Sequence, residues 1–225
     1  MTVTDVNVVK SAIFERPDDA NKGTLGSLLC VCGSYGMAGA AVMSAKGALR
    51  TGIGLAKCAL PRSIYPIVAQ TILESVYYPL SENADGRISK VNVPFLVSES
   101  CKSSATLVGC GLGVCDDTLK IVFSLIENST TPLVLDADAL NCVAKQPEIL
   151  LRKKAPIIIT PHPGEMSRLT GLATPLVNAE RERVALDFAQ KYGVVTVLKG
   201  AGTVIASPNG KVLVNPTGNS GMATG

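Results

Sequence analysis

Short apolar runs alternate along this chain with longer segments in which apolar and polar residues recur at helical spacing. The runs are nearly continuous in their apolar character, as in parallel strands that are buried on both faces. They predict strands at residues 28–32, 55–60, 76–80, 105–109, 132–135, 156–160 and 194–198. Strands and helices that alternate in this way predict an α/β fold, with a mostly parallel central sheet and helices on both faces.

The segment 178–191 is the clearest predicted helix. Val184, Ala185 and Phe188 share its apolar face. The opposite face is charged and is expected to lie in water, and it carries Glu180, Arg181, Glu182 and Arg183.

A β-hairpin is predicted after the last of these strands. Asn209-Gly210 stands between apolar runs at 203–206 and 211–214. Asn-Gly in that position is a strong local signal for a tight turn between paired strands.

Glycine-rich or polar clusters follow several of the predicted strands. They lie at residues 33–40, 109–113, 136–141, 160–165 and 199–203. The carboxyl ends of parallel strands meet at one edge of a sheet, and ligands of open α/β sheets bind there. We therefore expect these loops to line one binding site.

The loop at residues 33–41 joins a predicted strand to a predicted helix. Its glycines let the backbone approach a ligand, and the N-terminus of the following helix favours an anion. The spacing matches neither the G-x-G-x-x-G dinucleotide fingerprint nor the Walker A motif. A tight strand-to-helix turn without a ligand is the alternative.

His162 is the only histidine, and Pro161 and Pro163 restrict the backbone on either side of it. A stiff segment at a strand end would aim the imidazole at a ligand, where it can hydrogen-bond or move a proton. The alternative is a rigid turn in which Glu165 caps the start of the next helix.

Asp136 and Asp138 follow another predicted strand. Alternation along an extended chain would place both carboxylates on the same side. Paired carboxylates can bind a metal ion or the cationic edge of a ligand. Asp138 is equally suited to cap the next helix.

Two further loops have the composition of anion sites. Lys199 stands at a strand end beside Gly200 and Gly202, which suits a nucleotide phosphate or ribose, although Lys-Gly also closes many strands. Residues 215–225 are rich in glycine and small polar residues, whose backbone N–H groups can converge on an anion. A loop of this kind should lead into a helix, so we expect the native protein to continue past residue 225.

The composition excludes several classes of protein. A net charge of +3 with both signs mixed gives no basic face for nucleic acid. The absence of Trp and the aromatic content of 4% argue against a platform for base stacking. No apolar run reaches the length of a membrane span, and residues 1–10 lack the pattern of a signal peptide.

The seven cysteines indicate a reducing compartment, and the cytoplasm is the expected location. Their number is odd, and no C-x-x-C pair is present for a structural zinc. Several stand inside apolar runs and are expected to be small buried residues, namely Cys30, Cys32, Cys58, Cys110 and Cys142.

Taken in order, these motifs resemble the NAD(P)H-hydrate dehydratases, which are ribokinase-like enzymes related to carbohydrate kinases. The matching segments are residues 33–41, 108–113, 135–141, 160–165, 198–203 and 215–225, and they span almost the whole chain. The resemblance implies a ribokinase-like fold. It also implies a single domain over residues 1–225 that is incomplete at its C-terminal end.

The resemblance implies a reaction as well. These enzymes remove water from hydrated NADH or NADPH at the expense of ADP or ATP. The implied route is phosphoryl transfer to the ring hydroxyl and then loss of phosphate, which depends mainly on positioning and charge neutralisation. The implied cofactor is Mg²⁺, the implied ligands are the hydrated dinucleotide and an adenine nucleotide, and the implied assembly is a homotetramer.

The same resemblance assigns roles to residues. Ala40, Gly111 or Gly113, and His162 are expected to contact the hydrated dinucleotide. Asp136, Asp138 and Asn141 are expected near the phosphates and Mg²⁺. The nucleotide is expected to contact Lys199, Gly200, Ala201, Gly202, Thr203, Gly218, Asn219, Ser220, Gly221, Met222, Ala223, Thr224 and Gly225.

The chain departs from the family pattern at two points. Cys110 stands where proline is common, and the catalytic aspartate of the family, the expected general base, lies beyond residue 225. We therefore expect the 225-residue chain to be nearly inactive and one sheet face to lack covering helices. Two alternatives stay open: a ribokinase-like kinase of a vitamin-precursor alcohol, and a module that binds adenine nucleotide without catalysis.

Overall fold

The computed structural model describes residues 2–4, 10 and 17–222, and its framework is one β-sheet. The strands are β1 (Thr2–Val3), β2 (Ser27–Val31), β3 (Leu55–Pro61), β4 (Val76–Leu80), β5 (Ala105–Val108), β6 (Leu133–Leu135), β7 (Ile157–Ile159), β8 (Val195–Leu198), β9 (Thr203–Ala206) and β10 (Val212–Asn215). The helices are α1 (Ala38–Thr51), α2 (Tyr65–Thr71), α3 (Val93–Cys101), α4 (Asp116–Asn128), α5 (Asp138–Val143), α6 (Pro163–Thr170), α7 (Thr174–Ala179) and α8 (Arg181–Tyr192).

The sheet is mostly parallel. Its order is β1-β10-β9-β8-β7-β6-β5-β2-β3-β4, and every pair from β8 to β4 is parallel. Strands β9 and β10 form the predicted antiparallel hairpin, with Gly210 at φ +94° in its turn. The predicted strands agree with the observed ones to within one residue at each end, because long apolar runs mark strands in a parallel sheet clearly.

The direction of winding reverses at β2. From this strand the chain builds β3 and β4 on one side, and β5 to β8 then extend the sheet on the other side. Loops that leave β2 and β5 therefore turn towards opposite faces and open a crevice between them, which is where ligands of open α/β sheets bind.

Helices cover both faces of the sheet around this point. Helices α1 and α2 pack on one face, where Ala45 and Val68 contact a cluster that contains Cys30 and Cys58. The other face is covered by α3, α4, α5 and α8, which share a large apolar core with Val31. Such burial of continuous apolar surface is the main favourable contribution to folding.

One sheet face is only partly covered from β6 to β9. Side chains in these strands alternate between buried and partly exposed positions. The partly exposed aliphatic positions that belong to neither apolar cluster of the described residues are Val134, Ile158, Val195, Val197 and Ile205. These aliphatic side chains form a continuous apolar strip on one face of the sheet. Helices α1 and α2 pack on the same face, but over other strands.

The predicted helix at 178–191 is divided in two. Helix α7 ends at Ala179 and α8 begins at Arg181, because Glu180 has φ −126° and ψ 40°, which is not helical. The apolar face of α8 is as predicted, with Val184 and Phe188 buried. The prediction that Arg181 faces water is wrong, since this side chain is partly buried and turns back towards β8.

A buried ion pair fastens α3 to the sheet. Lys57 Nζ lies 2.6 Å from Glu99 Oε1, and only 12% and 11% of the two side chains is exposed. Ser103 Oγ accepts a second hydrogen bond from Lys57, and Tyr78 donates its hydroxyl to Glu99. Burial acts to raise the pKa of Glu99, but the hydrogen bond and charge of Lys57 outweigh it and leave this pKa below its ordinary value.

We expect Glu99→Gln to lower the free energy of unfolding by about 3–5 kcal/mol at pH 7, because it leaves the Lys57 charge buried and unpaired. Since the pKa of Glu99 is lowered by folding, its contribution is complete above the unfolded pKa of about 4.3 and is lost as pH falls through the folded pKa. Urea unfolding at pH 7 and at acid pH measures both effects.

The matched control is Glu127→Gln, which removes a carboxylate from the more exposed pair with Arg152. This variant should cost less than about 1 kcal/mol. Equal losses in the two variants, or a Glu99→Gln deficit that is the same at pH 7 and in acid, would contradict the role given to the buried pair.

Candidate active site

The loops after β2 and β5 meet at the predicted crevice. The Gly33 amide donates to the Cys110 carbonyl at 2.8 Å, and the buried Ser34 hydroxyl donates to the Gly111 carbonyl at 2.8 Å. Each loop therefore holds the backbone of the other. The predicted convergence of these two strand-end clusters is observed.

Ala40 and Gly111 are in direct contact across this crevice. A Cβ atom at Gly111 would lie 2.7 Å from the Cβ of Ala40, and Gly111 has φ +64°, so only glycine fits there without strain. Gly113 lies beside Arg87, whose Nε would be 2.5 Å from an added Cβ. Of the three small residues expected against the dinucleotide, Gly111 is buried, whereas Ala40 and Gly113 are partly exposed beside it.

Asp136 lies at the centre of the site, where the ends of β6, β7 and β8 meet. Its Oδ1 accepts hydrogen bonds from Lys199 Nζ at 2.6 Å and from Thr160 Oγ1 at 2.7 Å. Its Oδ2 accepts a weaker one from Cys110 Sγ at 3.5 Å. Burial acts to raise the pKa of Asp136, but the hydrogen bonds from Lys199 and Thr160 outweigh it and keep this pKa below its usual value.

Asp136 and Asp138 do not share hydrogen-bond partners. Ala137 has φ +49°, so the chain leaves the extended conformation between them. Asp138 accepts from the Gly113 amide at 2.8 Å and from the Asn141 side chain at 3.3 Å. Ala137 occupies the N-cap position of α5, so the alternative in which Asp138 caps this helix is wrong.

His162 caps α6 with its own side chain. Its Nδ1 accepts hydrogen bonds from the amides of Gly164 and Glu165 at 3.0 and 3.4 Å, and Glu165 Oε2 accepts from the His162 amide at 2.8 Å. The alternative of a rigid capped turn is therefore realised. Because Nδ1 is an acceptor, the neutral imidazole carries its proton on Nε2, and the side chain is 51% exposed.

This capped turn is joined to the Asp136 centre through Lys199. The Lys199 amide donates to the Pro161 carbonyl at 2.8 Å, and its Nζ lies 4.0 Å from Glu165 Oε2. One lysine thus faces two carboxylates and stands between the histidine turn and the glycine loop that follows it. The exposed edge of His162 remains open to a ligand.

A cavity of about 730 Å³ separates the two glycine-rich loops near the C-terminal end. Its lining is Lys199, Gly200, Ala201, Gly202, Thr203, Asn215, Pro216, Thr217, Gly218, Asn219, Ser220 and Met222. The amides of residues 200–202 donate to no acceptor within the described part of the chain. Ala223, Thr224 and Gly225, which were predicted to belong here, lie outside the described residues.

Some residues of the site were missed by the sequence reasoning. Arg87 and Arg168 carried no local signal; Arg168 donates to Asn141 Oδ1 at 2.8 Å and so orients its amide. Cys110 was expected to be buried but is partly exposed, with its thiol towards Asp136. Its place directly after a strand end was the available signal. Cys30, Cys32, Cys58 and Cys142 are buried, as predicted.

Neither a membrane helix nor a built metal cage is seen in the residues that the structure describes. None of their helices combines the length and the apolar character needed to cross a bilayer. In the same residues, His, Cys, Asp and Glu side chains do not converge in threes.

Comparison with known proteins gives a consistent family. The profile of the NAD(P)H-hydrate dehydratase family matches residues 28–225. A bifunctional NAD(P)H-hydrate repair enzyme of Thermofilum pendens is 40% identical over 93% of this chain, which spans 40% of the length of that protein. The crystal structure of the Bacillus subtilis ADP/ATP-dependent NAD(P)H-hydrate dehydratase, co-crystallised with ATP and Mg²⁺, is 30% identical with a TM-score of 0.83, and the match covers 100% of this chain and 76% of that one.

A ribokinase-like protein of Enterococcus faecalis has the same fold, with a TM-score of 0.83 at 21% identity, over 100% of this chain and 74% of its own. The α/β, ribokinase-like architecture predicted from the motifs is therefore confirmed. The profile match extends from β2 to residue 225 and includes every loop of the site described above. This chain belongs to the NAD(P)H-hydrate dehydratase family.

Proposed function

We propose that this chain catalyses, or carries the binding machinery for, the nucleotide-dependent dehydration of hydrated NADH or NADPH. The observation that carries the proposal is the position of the cavity between residues 199–203 and 215–222. It adjoins the Asp136–Lys199 pair, and the hydrogen bond from Cys110 to Asp136 links that pair to the crevice where Ala40 contacts Gly111. Two ligands can therefore meet end to end at one lysine.

The cavity suits the phosphates of ADP or ATP. The amides of residues 200–202, which have no acceptor among the described residues, are donors for phosphate oxygens, and Lys199 supplies a positive charge. Gly218, Asn219 and Ser220 close the opposite wall with further small polar groups. We assign this cavity to the nucleotide.

The crevice between β2 and β5 suits the hydrated dinucleotide. Ala40 and Gly113 are partly exposed and carry a methyl group or no side chain, so a flat ring can approach the backbone closely. His162 is held in a turn that its own cap makes rigid, with its Nε2 3.4 Å from Glu165 Oε1, and a hydroxyl or carbonyl oxygen of the ligand is a further acceptor for the Nε2–H. We assign Ala40, Gly111, Gly113 and His162 to this ligand.

The proposed reaction is phosphoryl transfer followed by elimination. The ring hydroxyl oxygen attacks the terminal phosphorus, the bond to the nucleotide breaks, and the hydroxyl proton passes to a base. The phosphorylated ring then loses inorganic phosphate and a ring proton, which restores the double bond of NADH or NADPH. Lys199 neutralises charge on the transferred group, as such a transfer requires.

Asp136 is a poor candidate for that base. Three donors already occupy its oxygens, and its lowered pKa makes it a weak proton acceptor. We propose that it positions Lys199 instead. By the family resemblance, the base is an aspartate that follows residue 225.

Magnesium fits this edge as a companion of the phosphates. Asp138 and Asn141 present oxygen donors, the type that Mg²⁺ prefers, but the described residues form no cage of three acidic side chains. We propose that the nucleotide supplies most of the ligands, with Asp136, Asp138 and Asn141 nearby. When bound, the ion would neutralise charge on the phosphates.

The wider setting is proposed on similar grounds. Residues 1–225 are proposed to belong to a single domain, because one sheet joins β1 at one edge to β4 at the other. The cytoplasm is proposed from the free cysteines, since Cys101 is exposed and unpaired. A homotetramer is proposed from the family resemblance, and light scattering after gel filtration tests it.

The proposed activity is tested by incubating hydrated NADH with Mg²⁺ and ADP or ATP and following the return of reduced-nicotinamide absorbance. The complete gene product and the 225-residue chain are compared. We expect recovery with the complete product and little with the shorter chain. Phosphorylation of a vitamin-precursor alcohol with hydrated NADH left untouched would replace the proposal with the kinase, and nucleotide binding without any turnover would replace it with the binding module.

Lys199→Ala is expected to weaken ADP binding about 10- to 100-fold, because it removes a charge-assisted hydrogen bond at the cavity and leaves Asp136 unpaired. Isothermal titration calorimetry measures the dissociation constant. Lys211→Ala removes the same charge from the exposed hairpin and should change it less than about twofold. Equal changes in the dissociation constant of the two variants would mean that Lys199 contributes only to the overall positive charge of the protein and makes no specific contact with ADP.

Gly111→Ala is expected to raise the KM for the hydrated dinucleotide, because the new methyl group would press on Ala40 at 2.7 Å. Its affinity for ADP should be unchanged, since the two ligands occupy separate walls. Gly171→Ala is the control: it has a similar positive φ, +75°, but open space around the added Cβ. An increase in KM with both variants would point to backbone strain rather than to the dinucleotide site.

A further inference from the structure

Arg181 reaches from the first turn of α8 to the loop that follows β8. Its Nη2 donates to the carbonyl oxygens of Leu198, Lys199 and Gly202, at 2.8, 3.1 and 3.4 Å. These three carbonyls belong to the loop that forms one wall of the proposed nucleotide cavity. One guanidinium thus ties both ends of that loop to the helix.

Arg181 approaches this loop so closely that only a residue without a side chain fits in the middle of the loop. A Cβ atom at Gly200 would lie 2.9 Å from both Nη1 and Nη2 of Arg181. Gly200 also has φ +148°, a conformation that residues with side chains rarely adopt. The sequence motif assigns Gly200 to phosphate binding. Gly200 is also needed because a larger residue there would clash with Arg181.

The orientation of the carbonyls determines the orientation of the amides. In a trans peptide the C=O and the N–H point in opposite directions. Because Arg181 holds the Lys199 carbonyl, the Gly200 amide is turned away from the guanidinium. Gly200 lines the cavity of about 730 Å³, whereas Arg181 lines a different opening, of about 440 Å³, on the other side of the loop.

The arginine has no anionic partner of its own in the described part of the chain. The neighbouring Glu180 pairs with Arg183 instead, and the buried Nε of Arg181 has no hydrogen-bond acceptor there. Burial lowers the pKa of the guanidinium, which nevertheless remains charged at neutral pH. Its positive charge therefore stays uncompensated immediately behind the loop, where it favours an anion on the far side.

We infer that Arg181 is the positioning residue of the nucleotide loop: it holds the carbonyls of Leu198, Lys199 and Gly202, and thereby fixes the path of residues 199–202 with the Gly200 amide turned to the phosphates of the nucleotide. The inference rests on the proposed nucleotide site. Arg181 does not line the proposed nucleotide cavity itself, so we expect its loss to change nucleotide binding through the loop and to leave binding of the dinucleotide unchanged.

Arg181→Met in the complete gene product tests the inference, because it keeps the length of the side chain and removes all of the donors. We expect the dissociation constant for ADP to rise about 10- to 100-fold, as for loss of several charge-assisted hydrogen bonds. The KM for the hydrated dinucleotide should stay unchanged. Arg181→Lys should restore part of the affinity, since an ammonium can reach a carbonyl but cannot bridge both ends of the loop.

Arg183→Met is the matched control. Arg183 lies on the same helix, is exposed, and pairs with Glu180 and Asp187. Its loss should leave the affinity for ADP within about twofold of the unaltered protein. A purely structural role of Arg181 would lower the melting temperature without a selective change in the affinity for ADP, and that result would overturn the inference.

The outcomes separate this inference from the proposed function. If the unaltered protein binds no adenine nucleotide, the nucleotide site itself is wrong and the role of Arg181 falls with it. If the unaltered protein binds ADP and Arg181→Met binds it equally well, only the role of Arg181 is wrong. Should Arg181→Met fail to fold, Arg181→Lys decides: weakened ADP binding with an unchanged dinucleotide KM supports the inference, and unaltered ADP binding overturns it.

Discussion

The ion pair between Asp136 and Lys199 is the interaction on which the site depends. The two residues are 63 positions apart in the chain, and their side chains meet at 2.6 Å where β6 and β8 end. Thr160, from the end of β7 between them, donates to the same carboxylate oxygen. The pair thus aligns three strand ends and keeps a partly exposed lysine at the junction of the crevice and the cavity. An ionised carboxylate is stable there only because these donors replace the water that burial removes.

Around this pair, the site is built mainly from backbone. On one side Gly111 packs so closely on Ala40 that it admits no larger residue, and on the other the amides of residues 200–202 have no acceptor among the described residues. Backbone donors are rigid and already oriented, which suits a reaction that needs charge stabilisation more than a nucleophile. Two side chains keep this backbone in place. His162 caps α6, and Arg181 donates hydrogen bonds to the carbonyls of the loop that follows β8.

The strands, the hairpin and the edge at which the loops gather could be predicted because each has a local signal. Short apolar runs such as 105–109 that alternate with longer helical segments are typical of buried strands, and Asn209-Gly210 is typical of a turn. The break at Glu180 had no such signal, since residues 178–191 are helical in pattern throughout. The charged position 181 was assigned to solvent for the same reason, because periodicity cannot reveal a partner that another part of the chain supplies.

By itself, the sequence determined the α/β class, the order of the elements and the glycine-rich and polar loops that follow the strands, since these follow from patterns within a few residues of each other. Only the tertiary structure decided what each polar group does there. Asp136 and Asp138 look alike in sequence, yet one pairs with Lys199 and the other accepts from the Gly113 amide. Their partners lie on distant segments, and a hydrogen bond depends on distance and angle in space, which spacing along the chain does not contain.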